Sequence, residues 1–195
     1  MTDATPRGRL NRPFLTLVSC LEAQDGKPHL SAILYAASAA VRAAEEAAQN
    51  AEDELSAVDA KGARELLEQA SQQASSRDHR HVETLAADAL ELAIRALQRG
   101  LQIEAGLCQP LTAPQLYGRA AIHEDMTQMS PVNRRRLEAW IAEWRALPPW
   151  EPPAGRDHDR RVVQVSVRLD QLLDRIRVPA QVRRWLDARR AAQEA

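Results

Sequence analysis

The chain has 195 residues, of which 45% are hydrophobic and only 4% aromatic, and a formal net charge of −1. That length suits one domain, or a domain with a short terminal module, and a core large enough to stand without disulfide staples. Two cysteines, Cys20 and Cys108, exclude a disulfide framework, and no apolar run reaches the roughly 18 residues of a membrane span.

The apolar content is mostly Ala, Leu and Val, which suits closely packed helices. The first residues, MTDATPRGRLNRP, lack the apolar core of a signal peptide, so a cytoplasmic location and no membrane partner are expected. Lys27 and Lys61 are the only lysines against a large set of arginines, the habit of a GC-rich bacterial genome. Charge is polarised along the chain. Residues 41–104 carry 13 acids and 7 bases, net −6, whereas residues 130–195 carry 14 arginines and 9 acids, net +5. An acidic body is followed by a basic C-terminal third.

In chain order, residues 1–12 read as a loose terminus. From Asn11 to Asp25-Gly26 the spacing of Phe14, Leu17, Val18 and Leu21 predicts a short helix, with a strand over Phe14–Cys20 as the alternative. A helix follows from Leu30 to about Val58, with Leu30, Ile33, Leu34, Ala37, Val41 and Ala44 on one face. After Gly62, Leu66, Leu67, Ala70 and Ala74 mark a shorter helix. A polar break spans Ser75 to His81. From Val82 to Gln102 a seam of Val82, Leu85, Ala89, Leu90, Ala93, Ile94, Leu97 and Leu101 predicts a long helix, paired antiparallel with the Leu30 helix.

Gly106, Pro110 and Pro114 mark turns around a possible short helix in TAPQLYGRAAIHED. In SPVNRRRLEAWIAEWRAL, Ser130 is a cap, Pro131 suits the first helical position, and Leu137, Trp140, Ile141 and Trp144 form the apolar face. PPWEPPAG ends that helix. The expected class is mainly α: a helical bundle on a long antiparallel hairpin (1–147), a Pro-rich joint (148–156) and a small basic C-terminal module (157–195).

RRVVQVSVRLDQLLDRIRVP, Arg160 to Pro179, fits two periods. With a period of two, Val163, Val165, Val167 and Leu169 share a face, and β-branched density favours a strand over about 162–169, then a helix capped by Asp170. With a helical period, Val162, Val165, Leu169, Leu172 and Ile176 form a seam. The strand is the favoured reading. A lone strand needs a mate, either Phe14–Cys20 or its own copy about a two-fold axis, and so implies a homodimer.

VSVRLDQLLDRI resembles the start of ribbon-helix-helix DNA-binding proteins, over about 30 residues. The resemblance implies a dimer whose paired strands enter the major groove, with Gln164, Ser166 and Arg168 reading bases. The helix ending at Val178-Pro179 is shorter than in that family, and its Gly-containing turn is absent.

The basic residues point to a DNA-binding or DNA-organising protein, a homodimer that contacts phosphates through C-terminal arginines. Arg134, Arg135 and Arg136 sit at the start of the Trp140 helix, where cations oppose the helix dipole, and suit phosphate contact. Arg183, Arg184, Arg189 and Arg190 recur near a helical repeat on the terminal helix. With Arg168 they form the expected DNA-contacting set. The alternative is a helical adaptor or assembly protein with protein partners only; for Arg134, Arg135 and Arg136 the alternative to phosphate contact is a solvated face or salt bridges to the acidic body.

Glu65/Glu68 and Asp88/Glu91 each place two carboxylates on one helix face. This resembles the Mg²⁺-binding motifs of all-helical nucleotide pyrophosphohydrolases of the MazG type, although the second pair is reversed. It implies a lesser alternative, a metal-dependent nucleotide hydrolase. His79, His81, Glu83 and His123 have no standard zinc spacing, and Cys20 and Cys108 lack the neighbours that activate a nucleophile. No cofactor, metal site or catalytic set is expected.

Overall fold

The computed structural model describes residues 27–74 and 78–194; the segment proposed as a short helix or strand around Phe14–Cys20 lies outside them. The protein is mainly helical, and no strand occurs among the described residues. Helix α1 spans Leu30–Ala51, α2 Glu54–Gln73, α3 His79–Glu104, α4 Ala113–Ala121, α5 Pro131–Arg145, α6 Arg156–Arg175 and α7 Ala180–Glu194, with a 3₁₀ turn at Met126–Gln128. None of these helices is long and apolar enough to cross a membrane.

The helix expected from Leu30 to Val58 is broken in two. Glu52 adopts a left-handed conformation (φ 49°) and Asp53 caps α2. A free-standing alanine-rich helix would run through this point, but Asp53 accepts hydrogen bonds from the Ser56 N–H at 2.9 Å and its Oγ–H at 2.8 Å. The chain therefore reverses. Helix α2 then passes straight through Gly62.

The reversal decides the pairing. Arg99 near the end of α3 reaches Asp53 at the start of α2, and Arg95 reaches Asp59, so α2 and α3 form the long antiparallel hairpin. Ile33, Ala70, Val82, Leu85 and Ala86 cluster where α1 begins, α2 ends and α3 begins. Helix α1 thus runs parallel to α3, and not antiparallel to it as its spacing predicts. Alanines at 36, 37, 40, 44, 60, 63, 89 and 93 line the contact and let the helices approach closely.

Helices α4 and α5 make a second, shorter hairpin. The Thr112 N–H donates to Gln115 Oε1 at 3.0 Å, and Ser130 Oγ accepts from the Asn133 N–H at 3.3 Å, so both N-termini are capped. The helices cross so closely that a Cβ on Gly118 would lie 2.0 Å from the Trp140 carbonyl oxygen. Only glycine fits there. Tyr117 packs on Trp140 with ring centroids 5.4 Å apart.

The strand expected over 162–169 is instead the middle of α6. A helix satisfies its own backbone groups, so the need for a mate disappears. Val165 and Leu173 are buried, and Leu169, Leu172 and Ile176 pack beside them. This is the helical seam, with Val162 left 41% exposed at its edge. Val163 and Val167, which a strand would place beside Val165, face outward. Val178, Val182 and Leu186 continue the same buried cluster onto α1 and α3. Packing at three-to-four spacing buries more apolar surface than alternation does, and it overrides the β preference of valine.

Candidate functional site

The eight arginines proposed to meet phosphate divide into two groups of four. Arg168 pairs with Glu104 at 2.5 Å, across from α6 to the end of α3. Arg183 pairs with Asp174 and lies 3.6 Å from Asp170, tying α7 to α6. Arg189 reaches Asp88 at 2.6 Å and Glu91 at 3.0 Å on α3, and its side chain is only 18% exposed. Arg190 lies 3.8 Å from Glu91 and 3.9 Å from Asp187.

Arg134, Arg135, Arg136 and Arg184 are exposed and have no carboxylate partner among the described residues. Arg134 donates to the Thr127 carbonyl at 3.4 Å, and Arg136 lies over the Trp140 ring at 5.6 Å. Arg119 sits over Trp144 in the same hairpin at 5.7 Å. The α5 group lies on the hairpin with α4, whereas Arg183 pairs with α6 and Arg189 and Arg190 with α3, so the eight do not converge on one stripe.

Residues 162–169 form no base-reading ribbon, because Gln164, Ser166 and Arg168 lie on a helix. Ser166 Oγ donates to the Val162 carbonyl at 3.1 Å, and Arg168 faces Glu104. The Asp88/Glu91 pair that resembled a metal motif is bound by Arg189, and Glu83 by Lys27 at 2.8 Å. Among the described residues no three His, Cys, Asp or Glu side chains group as metal ligands. No family model, curated protein or solved structure matches the chain.

Sequence reading missed the most connected polar group, Asp53. Besides Ser56, it accepts from Arg99 at 2.7 and 2.9 Å and from the Leu111 N–H at 2.8 Å. Arg99 continues to the Gln109 carbonyl at 3.1 Å, so this pair joins the α1–α2 turn to the α3–α4 turn. Burial pushes the Asp53 carboxyl upward, but Arg99 and the Leu111 and Ser56 donors outweigh it and hold it below the usual carboxylate range. Burial pushes the nearby Cys108 thiol up despite Arg99, which keeps it protonated and a poor nucleophile at neutral pH. The signal was present as Asp53, a residue type suited to the cap, with the acid Glu54 in the first turn after it, concealed between alanine-rich stretches.

Arginines also dock α6. Arg161 donates to the Ala105 carbonyl at 2.9 Å, and Arg168 meets Glu104, so both cations sit at the C-terminal end of α3. There they satisfy a free carbonyl and complement the negative end of the helix dipole.

Beyond the polar groups, α6 presents an apolar feature. Val163 is 61% and Val167 49% exposed, on the side of the helix opposite Val165, Leu169 and Leu172. At about 100° per residue, 163 and 167 fall close together on that outer face.

Proposed function

We propose that this protein acts by association, as a helical assembly protein with protein partners. The observation that carries the reading is the outward valine face of α6. Valine has modest helix propensity, and two of them on a solvated helix face contribute nothing to the core. Four arginines of the basic third meanwhile pair with carboxylates of the same chain, which takes them away from phosphate.

A second reading is DNA binding through Arg134, Arg135, Arg136 and Arg184, whose guanidinium groups have no carboxylate partner among the described residues. Phosphate contacts of this kind position a protein without reading sequence.

One experiment separates the two. Gel-shift and filter-binding assays against duplex and single-stranded DNA are run across a salt series. The assembly reading expects no retention even at low salt. Retention that weakens with salt at a slope of about −0.9 per phosphate overturns it. In that case replacing Arg134, Arg135 and Arg136 by Ala flattens the slope by about two to three units.

A further inference from the structure

On the outer face of α6 the residues are Arg156, Arg160, Val163, Val167, Asp170 and Asp174. Their spacing is four, three, four, three, four. That is a coiled-coil seam, and it runs along the side of the helix opposite its buried stripe. All six are exposed. The charges are ordered: two arginines at the N-terminal end, two valines in the middle, two aspartates at the C-terminal end.

This order makes the face complementary to itself in one orientation. When two copies of α6 lie antiparallel about a two-fold axis at residue 165, Val163 meets the second copy's Val167. Arg160 then meets Asp170, and Arg156 meets Asp174. A parallel pair would set arginine on arginine and aspartate on aspartate. Antiparallel helices also bring opposite dipole ends together. Asp170 and Asp174 already face Arg183, yet their side chains remain 73% and 67% exposed, so each has oxygen surface for a second guanidinium.

We infer that the partner of this face is a second copy of the chain, paired antiparallel through α6. This deepens the assembly reading by naming its partner. The strand that implied a homodimer is a helix and no longer needs a mate, and the Val82–Leu101 seam is buried within the chain, so neither supplies the contact. A single pair of 20-residue helices with two valine layers is a small interface. The association is therefore reversible, in the manner of interfaces below about 1,200 Å².

The test is sedimentation equilibrium of the full chain from about 1 to 100 µM, the range of weak association. Wild type is expected to shift from monomer to dimer mass across that range. Val163→Asp with Val167→Asp is expected to stay monomeric and keep the wild-type circular dichroism spectrum. Arg156→Asp with Arg160→Asp, and separately Asp170→Arg with Asp174→Arg, are each expected to be monomeric. An equimolar mixture of those two variants is expected to recover a dimer, because their faces are complementary.

A wild type that stays monomeric, a valine double variant that still dimerises, or a mixture that does not pair overturns the proposal. Should the Asp170/Asp174 variant fail to fold for want of its Arg183 contact, disulfide trapping takes its place. Val163→Cys mixed with Val167→Cys, in a Cys20→Ser, Cys108→Ser background, is expected to form a cross-linked heterodimer under mild oxidation, and no cross-link overturns the antiparallel register. DNA retention would sink the assembly reading without touching this result, and a monomeric wild type would sink the pairing alone.

Discussion

At the scale of single residues, Asp53 and Arg99 hold the greatest leverage. The Asp53 side chain is fully buried and Arg99 17% exposed, so removing one partner leaves the other charged, desolvated and unmatched. Asp53→Ala also strips the acceptor from the Leu111 N–H and uncaps α2. The expected cost is about 3–5 kcal/mol, read by urea unfolding. By contrast Arg168→Ala breaks a pair whose members are 43% and 57% exposed, and is expected to cost less than about 1 kcal/mol. The pH dependence has a definite sign. The folded pKa of Asp53 is depressed, so its contribution is fully present above the unfolded value of about 3.9 and is lost as pH falls through the lower folded value. Unfolding midpoints followed from pH 6 downward should fall in that acid range for wild type. Asp53→Asn should lose this component of the decline.

At the scale of elements, α6 shows how two periodicities in one stretch are resolved. The strand and helix readings make opposite demands on three valines. In a strand, 163, 165 and 167 share a face and respond alike to substitution. In the helix, Val165 is 3% exposed while Val163 is 61% exposed. Val165→Asp is therefore expected to destabilise by more than about 3 kcal/mol, because it buries a charge without a partner, while Val163→Asp stays within about 0.5 kcal/mol. Chemical unfolding of the two variants checks this, and equal effects would restore the strand. Other elements were legible from local signals alone. Ser130-Pro131 starts α5 where its cap chemistry says, and the spacing of Val82, Leu85, Leu90 and Leu97 gives α3 its buried face. The break at Glu52-Asp53 was not legible in the same way, because alanine propensity and three-to-four spacing continue across it.

At the scale of the whole molecule, the basic third serves as a clamp on the acidic body. Arg161 and Arg168 seat α6 on the end of α3, Arg189 holds α7 to the middle of α3, and Leu173, Val178, Val182 and Leu186 fill the space between. Three arginines of that third, Arg168, Arg189 and Arg190, thereby meet acids of the body, Glu104, Asp88 and Glu91. Removing residues 156–195 exposes the apolar faces of α1 and α3 that these side chains cover. The truncated chain is expected to melt at a lower temperature than the full chain and to bind a hydrophobic dye; an unchanged melting curve would show that α1 to α3 stand without the clamp.

Legible in the sequence alone is what depends on neighbours a few residues apart: helical class, the cap at Ser130 and the buried face of α3, whereas Asp170, expected as a cap, lies within α6. Those features follow from spacing, propensity and local hydrogen bonds, which act within one or two turns. Long-range packing settles which of two valine periods is used, which helix lies parallel to α3, and what each paired arginine faces. Arg189 and Asp88 are 101 residues apart in the chain and 2.6 Å apart in space. A guanidinium carries the same charge whether it meets a phosphate or a carboxylate of its own fold, and no local pattern records which one packing brings to it.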